Sequence, residues 1–350
     1  MAYTCGPKAS SLQPYDPVEG SYAVRLDANE SYLLPDAATK AAMSAAVAAL
    51  DFNRYPDPLA TDACRAFANM YGVSPDLLTA GNGSDELISV ILSTFLQKGE
   101  AMMVLMPDFS MYKFYTHITE NRCVVYEKDA DLQIDVDAVL QQAAAEDVRL
   151  IIFSNPCNPT SVGLDRESVR RLINGTDALV VLDEAYMDFW DQSLLGEVAQ
   201  YDNLIILRTA SKALGMAAVR LGFAVANRKL TGILRAAKSP YNVNAATQVL
   251  AAVALADPDY QRRCAETLIA ARESLTAGLQ PLLDAGKLTR MYRSCTNFVL
   301  VELPEARRVF ETLKTDYSIV VRCFGDNRLR ITAGSPAQNA ALLAALNEIL

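Results

Sequence analysis

The sequence holds a single histidine, His117, among its 350 residues. That scarcity excludes a zinc site built on histidines, and a Ser-His-Asp triad must use His117 or fail. Set in the segment from Phe109 to Ile118, His117 reads as a structural or surface residue. Positive charge is also in deficit: 32 Lys and Arg stand against 41 Asp and Glu, a formal net charge of −9. Such a balance disfavours non-specific binding to nucleic acid or to anionic membrane surfaces. No apolar run reaches the ~18 residues that a membrane span needs. The seven cysteines (Cys5, Cys64, Cys123, Cys157, Cys264, Cys295, Cys323) are odd in number and lack C-x-x-C spacing. With no recognisable signal peptide, they read as reduced thiols of a cytoplasmic protein, and Cys157 reads as a small filler residue.

What is present is a globular composition, 51% hydrophobic and 21% charged, with a length that suits two domains. Met1 to Asp27 carries prolines and glycines with little periodicity and reads as an arm. Helical patterns cover 35–50 and 59–71. From Ser84 onward helices (84–96, 109–118, 136–145, 166–173) alternate with strands (101–105, 123–127, 150–153, 178–182), and strands at 204–207 and 222–225 follow. Alternation of this kind, with nearly continuous Val/Ile/Leu strands, predicts an α/β fold with a mostly parallel central sheet and helices on both faces. Beyond Asn244 a long helical stretch, broken near Pro258, runs to about Leu283, and a smaller α+β pattern closes the chain. The expected organisation is an arm over 1–28, a large α/β domain over 29–245 and a small C-terminal α+β domain over 246–350. The stripe Leu342, Leu343, Leu346, Ile349 has helical spacing and reads as core.

In such a sheet a ligand lies off the carboxyl ends of the strands. Three polar groups come directly after such ends: Asn158 in Ser154-Asn155-Pro156-Cys157-Asn158-Pro159-Thr160, Asp183 in Asp183-Glu184-Ala185-Tyr186, and Lys212 in Thr209-Ala210-Ser211-Lys212. Upstream, Gly81-Asn82-Gly83-Ser84-Asp85 opens an amphipathic helix. Each has a plainer reading alone: a surface lysine, a capping carboxylate, an N-cap without ligand. In this order they make one coherent site for pyridoxal phosphate. Lys212 can form the Schiff base with its aldehyde and shuttle a proton at the substrate Cα, provided that burial and cations such as Arg220 lower its pKa. Asp183 can keep the pyridine nitrogen protonated. Gly83, Ser84 and Asp85 offer backbone N–H groups at a helix N-terminus to the phosphate, the Asp85 carboxylate pointing elsewhere, with Thr209, Ser211 and Arg220 completing the cradle. Asn158 and Tyr186 can hydrogen-bond the 3′-oxygen of the ring, and Phe109 can stack on its face. A substrate carboxylate needs a bidentate guanidinium. Arg328 and Arg330 alternate onto one face of a strand, so the pattern does not choose between them; Arg322 is a nearby second cation.

These residues resemble the fold-type I pyridoxal-phosphate enzymes, specifically the class I/II aminotransferases, and within them the chain is most similar to the histidinol-phosphate aminotransferases. The matching positions are Asn29-Glu30, Arg54-Tyr55-Pro56-Asp57, Gly83-Ser84-Asp85-Glu86, Asn158-Pro159-Thr160, Asp183-Glu184-Ala185-Tyr186, Ser211-Lys212, Arg220 and Arg330. The resemblance implies an aspartate aminotransferase-like fold and a homodimer whose active sites are shared between subunits. It implies that Tyr55 reaches the cofactor phosphate of the other subunit, that Tyr15 and Asn29 lie near the substrate, and that Arg330 is the carboxylate-binding arginine. Three positions depart from the family pattern. Ser161 stands where glycine is usual, so the turn there is expected to differ locally. Phe109 replaces the stacking tyrosine. Ser31-Tyr32-Leu33 replaces Asn-Pro-Tyr at the substrate entrance.

The resemblance implies an amino-acid transaminase that works by a two-step ping-pong route, with histidinol phosphate as amino donor and 2-oxoglutarate as acceptor. Aromatic amino acids are an alternative donor class. A pyridoxal-phosphate decarboxylase acting on threonine phosphate shares the scaffold, and Lys212 and Asp183 do not separate the two. A non-catalytic cofactor sensor is a further alternative, disfavoured because the chain is acidic and enters its arm almost at once.

Overall fold

Strands that are apolar on both faces are stable only inside a sheet that is covered on both sides, and that requirement organises this chain. In the computed structural model, which describes residues 3–14 and 18–350, a short helix α1 (Pro7–Ser10) and strand β1 (Val24–Arg25) precede α2 (Ala37–Ala48) and α3 (Thr61–Tyr71). The alternating region follows: β2 (Leu78–Gly81), α4 (Ser84–Phe95), β3 (Ala101–Met106), α5 (Met111–Ile118), β4 (Arg122–Glu127), α6 (Val136–Ala145), β5 (Val148–Ser154), α7 (Arg166–Asn174), β6 (Leu179–Asp183), β7 (Leu204–Thr209) and β8 (Gly222–Ala226). Helices α8 (Arg228–Ala237), α9 (Ala245–Ala254) and α10 (Tyr260–Asp284) lead to β9 (Arg290–Met291), β10 (Phe298–Glu302), α11 (Ala306–Asp316), β11 (Ile319–Val320), β12 (Arg322–Phe324), β13 (Arg328–Thr332) and α12 (Pro336–Ile349).

Seven strands form the central sheet in the order β2-β8-β7-β6-β5-β3-β4, parallel throughout except for β8, which runs antiparallel to both neighbours. Alternate residues feed two cores. Val180, Leu182, Leu204 and Ile206 face one core, with Phe67 and Phe223; Val181, Ile205 and Leu207 face the other, with Ile88, Ile91 and Leu92 of α4. Polar side chains start the helices where the sequence supplies them: Asp135 accepts from the amides of Asp137 and Ala138, Asp165 from that of Ser168, and Asn227 from that of Leu230. Each replaces a partner that the first turn of a helix lacks. These caps fix where each helix leaves the sheet, and so where the loops at the strands' carboxyl ends lie. Among the described residues no helix is long and apolar enough to cross a membrane.

A second, four-stranded antiparallel sheet, β12-β13-β10-β9, packs with α10, α11 and α12 around Leu275, Leu279, Val299, Ile331, Leu342 and Leu346. The sequence missed two features of this part. β1 pairs in parallel with β11, and Leu26, 1% exposed, belongs to this core. The end of the supposed arm is therefore built into the fold, because two strand residues and one leucine are too few to register as a periodic pattern. In addition, α9 packs on α2 and α3, and its Ala251 and Ala254 join the large-sheet core. That packing runs past the expected boundary at 245/246. His117 meets the hydroxyl of Ser11 through Nε2 at 2.9 Å.

The turn expected to differ locally is the one around Ser161. Ser161 itself takes the left-handed conformation, φ 64°. Its amide donates to the Cys157 carbonyl and its carbonyl accepts from the Cys295 amide, both at 2.8 Å, so the turn is held and the serine absorbs the strain. The residue is fully buried, and among the described residues its hydroxyl meets no partner. Left-handed backbone costs a side-chain-bearing residue ~1–2 kcal/mol, and an orphaned buried hydroxyl about 1–3 kcal/mol. Glycine gives back roughly 0.5–1 kcal/mol in chain entropy. Ser161→Gly is therefore expected to stabilise the protein by about 1–4 kcal/mol, read as a higher denaturant midpoint at unchanged slope. An unchanged or lowered midpoint would contradict this reading of the turn.

Candidate active site

The parallel strands β5, β6 and β7 end side by side, so the residues that follow them are brought to one edge. β6 stays apolar until its last residue, Asp183, which lies opposite Ser154 of β5 and Leu207 of β7. The Asp183 carboxylate is buried and is held by two neutral donors: the Tyr112 hydroxyl on Oδ2 at 2.8 Å and the Ala185 amide on Oδ1 at 3.0 Å. Burial raises its pKa from the ordinary 3.8 to about 7; the two donors work against that shift, and the charges of Asp108 and Asp85 add to it.

The unfolded carboxyl ionises near 3.8 and the folded one near 7 in the cofactor-free protein, so between these values the unfolded state holds fewer protons. The contribution of Asp183 to stability is complete below the lower value and is lost as pH rises through the upper one, on the order of 4 kcal/mol. Denaturant midpoints measured from acid to neutral pH should fall for the cofactor-free wild type and flatten for Asp183→Asn. Parallel curves would contradict the assignment.

A three-residue segment after β1 gathers the other groups. Arg330 of β13 donates to the carbonyl of Asp27, the Lys212 ammonium donates to the carbonyl of Ala28 at 3.2 Å, and the Asn29 amide donates to the Tyr186 hydroxyl at 2.8 Å. Asn29 also accepts from the Thr332 hydroxyl at 3.1 Å, and its carbonyl accepts from the Asn297 amide at 3.0 Å. Lys212 lies over the Tyr186 ring, Nζ to centroid 5.6 Å. Asn158 joins through its Oδ1, which accepts from Arg330 at 2.5 Å. Arg330 is buried between Phe298 and Phe324, with its guanidinium carbon 5.3 and 5.7 Å from their centroids. The structure separates the two arginines that alternation left equal: Arg328 is engaged with Glu302 at 2.7 Å, whereas Arg330 reaches Asn158. Arg322 stands directly across from Arg330 in the β12–β13 register and is half-buried.

At the opposite flank, Gly83 has φ 85° and precedes the first residue of α4. A Cβ built on it would lie 2.7 Å from Nη2 of Arg220, and one on Gly222 would lie 2.5 Å from the Ser84 amide nitrogen. Gly222 is required by this close approach of backbones, and Gly83 by its positive φ. The Asp85 carboxylate is turned to Arg220 at 3.5 Å, both half-exposed. Thr209 and Ser211 are buried beside this turn, with the Thr209 hydroxyl donating to Ser211 Oγ at 3.1 Å. Phe109 is half-buried and meets Tyr112 edge to face at 5.5 Å. Tyr55 does not join the site in its own chain: it is 82% exposed and stacks on Tyr241 at 4.6 Å. Tyr15 lies outside the described residues.

Sequence reasoning missed Tyr112, Thr332 and Asn297. Signals existed for two of them. Tyr112 is one helical turn beyond Phe109, and Thr332 is two strand residues beyond Arg330 and thus on its face. Asn297 carries no local mark, since only the fold brings it to Asn29.

The sequence pattern of the aminotransferase class I and II family matches residues 21–346. The histidinol-phosphate aminotransferase of Clostridium kluyveri is 37% identical over 341 residues, 96% of each chain. The crystal structure of histidinol-phosphate aminotransferase from Sinorhizobium meliloti in complex with pyridoxal-5′-phosphate shares the fold, with a TM-score of 0.88 over 99% of this chain and 98% of that one at 24% identity. L-threonine-O-3-phosphate decarboxylase from Porphyromonas gingivalis shares it too, with a TM-score of 0.79 over 93% and 99% at 21% identity.

Proposed function

This chain belongs to the class I and II aminotransferases, which use pyridoxal phosphate, and from that premise we propose that it transfers the amino group of histidinol phosphate to 2-oxoglutarate. One observation carries the site assignment: the carbonyls of Asp27 and Ala28 accept from Arg330 and Lys212, and the next residue, Asn29, donates to Tyr186. An anion clamp, an amine and a phenol are thereby focused on one place. The extensive likeness to histidinol-phosphate aminotransferases favours this donor over aromatic amino acids, and favours transfer over decarboxylation.

The residues present fit the cofactor. Asp183 is a buried carboxylate held only by neutral donors among the described residues, a setting completed by a protonated ring nitrogen. The close-packed start of α4 with Arg220 beside it suits a phosphate dianion. Bound there, pyridoxal phosphate supplies an electron sink for charge at the substrate α-carbon and carries the amino group between half-reactions.

The chain's own groups do the rest. Gly83, Ser84 and Asp85 through their amides, Thr209 and Ser211 through hydroxyls, and Arg220 through its guanidinium hold the phosphate. Asp183 keeps a proton on the ring nitrogen. Asn158 and Tyr186 hold the ring's 3′-oxygen, and Phe109 covers a face. Lys212 attaches the cofactor and then moves a proton at the substrate α-carbon. Arg330 grips the α-carboxylate of glutamate or 2-oxoglutarate. Histidinol phosphate carries a phosphorylated hydroxymethyl group in place of that carboxylate, so one anion site serves both half-reactions, and Arg322 across the strand pair adds charge for the phosphate. The exposed Tyr55 supports a homodimer in which it completes the partner's phosphate site, with Tyr15 and Asn29 near the substrate. Seven free thiols support a reducing, cytoplasmic setting.

A donor panel tests the reading. Purified protein with pyridoxal phosphate is assayed for amination of 2-oxoglutarate by histidinol phosphate, phenylalanine and tyrosine, and for carbon dioxide release from threonine phosphate. The highest kcat/KM is expected with histidinol phosphate. Preference for an aromatic donor would reassign the substrate, and carbon dioxide release without 2-oxo acid formation would overturn transamination.

A further inference from the structure

A second buried charge cluster lies behind the site and takes no part in the chemistry above. Lys128 follows β4, at the edge of the central sheet, and its side chain is 1% exposed. Its ammonium donates to the Pro107 carbonyl at 2.9 Å and to Cys157 Sγ at 3.1 Å, and it faces Asp108 Oδ2 at 3.5 Å. One side chain thereby ties the loop after β3 to the loop after β5. Cys157, read from sequence as filler, is one of its anchors. Asp108 is fully buried and accepts from three more donors: the Phe109 amide at 2.7 Å, the Ser154 amide at 3.1 Å and the Ser154 hydroxyl. Ser154 Oγ in turn accepts from the Asn158 amide at 3.1 Å, and Asn158 accepts from Arg330.

We propose that Lys128 is a positioning residue: its ammonium fixes Asp108, Asp108 fixes Ser154, and Ser154 fixes the backbone of Asn158 so that Asn158 holds Arg330 in place for the substrate anion. The proposal rests on the assignment of Arg330 as the anion clamp. A buried carboxylate surrounded by four donors is rigid, because every alternative leaves a charge or donor without a partner. Burial alone would push the Lys128 ammonium down, but Cys157 and Asp108 carry it above its ordinary value, so it stays charged. Burial pushes the Asp108 carboxyl up, against Lys128 and the three other donors; with that many donors aimed at it, the anion is the form the geometry supports. The same lysine supplies positive charge next to the buried carboxylate of Asp108.

The chain of contacts predicts coupling. Glutarate, a dicarboxylate with no amino or oxo group to react, serves as probe, and its dissociation constant for the holoenzyme is read by calorimetry. Lys128→Met and Ser154→Ala should each weaken glutarate about tenfold, and the double variant should be no weaker than the worse single one, because both cut one path. Should Lys128→Met fail to fold, Lys128→Met/Asp108→Asn, which leaves no buried charge unpaired, takes its place. A lowered thermal midpoint with unchanged glutarate binding would show a merely structural lysine and overturn the proposal. So would effects that multiply in the double variant. Arg330→Gln in the same assay separates the two levels. Weakened binding there with intact binding in Lys128→Met overturns only the positioning role, whereas intact binding in Arg330→Gln overturns the clamp assignment and this proposal with it.

Discussion

Lys212→Ala is expected to lower turnover by at least about 10⁴-fold, because one group both attaches the cofactor and moves the proton at the substrate α-carbon. The protein has other sheltered lysines, and their surroundings show why they cannot substitute. Lys128 is locked among Pro107, Cys157 and Asp108. Lys238 donates to the Pro58 carbonyl at 2.7 Å and to Asn242 at 2.8 Å. Among the described residues Lys212 makes one hydrogen bond, to the Ala28 carbonyl, and it lies over the Tyr186 ring at the edge where Asn158 and Asp183 also stand. The variant should still bind pyridoxal phosphate through the turn at Gly83 to Asp85, Thr209, Ser211 and Arg220, more weakly, and without the visible absorption of the covalently attached form. Steady-state rates and a spectrum check it. An unchanged spectrum or a rate within tenfold of wild type would refute the assignment.

Asp183→Asn is the second large effect. Asparagine keeps the size and one acceptor but removes the charge that holds a proton on the ring nitrogen, so cofactor stays bound while kcat falls by about 10²–10³-fold, the scale on which preorganised electrostatic groups act. The effect should be larger than that of Tyr112→Phe, which leaves the charge and removes only the neutral donor at 2.8 Å. The order follows from the environment: burial already lifts the Asp183 carboxyl to about 7, and the Tyr112 hydroxyl is one of two neutral donors that oppose it. Cofactor retention measured by gel filtration, with kcat on the same samples, decides the matter. Near-normal kcat in Asp183→Asn would contradict the role given to this carboxylate.

Much of this was legible in the sequence because parallel strands announce their ends. An apolar run that stops at Asp183, or that passes into Thr209-Ala210-Ser211-Lys212, marks both a strand and a functional position, and the sheet aligns such ends without further information. The helices between them begin at side-chain caps, Asp135 and Asp165, that the reading of the sequence did not use. The unread parts lacked any local period. β1 and β11 have two residues each, and nothing in Val24-Arg25 states that its partner is Ile319-Val320. Asn29 was assigned to the substrate's neighbourhood by family resemblance, but its bonds to Tyr186, Thr332 and Asn297 join residues 157 to 303 positions away. Lys128 and Asp108 each look like solvated charge next to a strand end; only the packing of three loops buries them together. Tyr55, legible as a family position, is exposed in its own chain.

The central claim is that Lys212 carries the cofactor in this site. Borohydride reduction of the cofactor-loaded protein fixes the attached group in place, and proteolysis with mass mapping then identifies the peptide that carries it. The account predicts one modified lysine, Lys212, on the peptide that includes Ser211. Modification of Lys128, Lys238 or any other lysine in its stead, or a protein that retains no reduced cofactor, would contradict it.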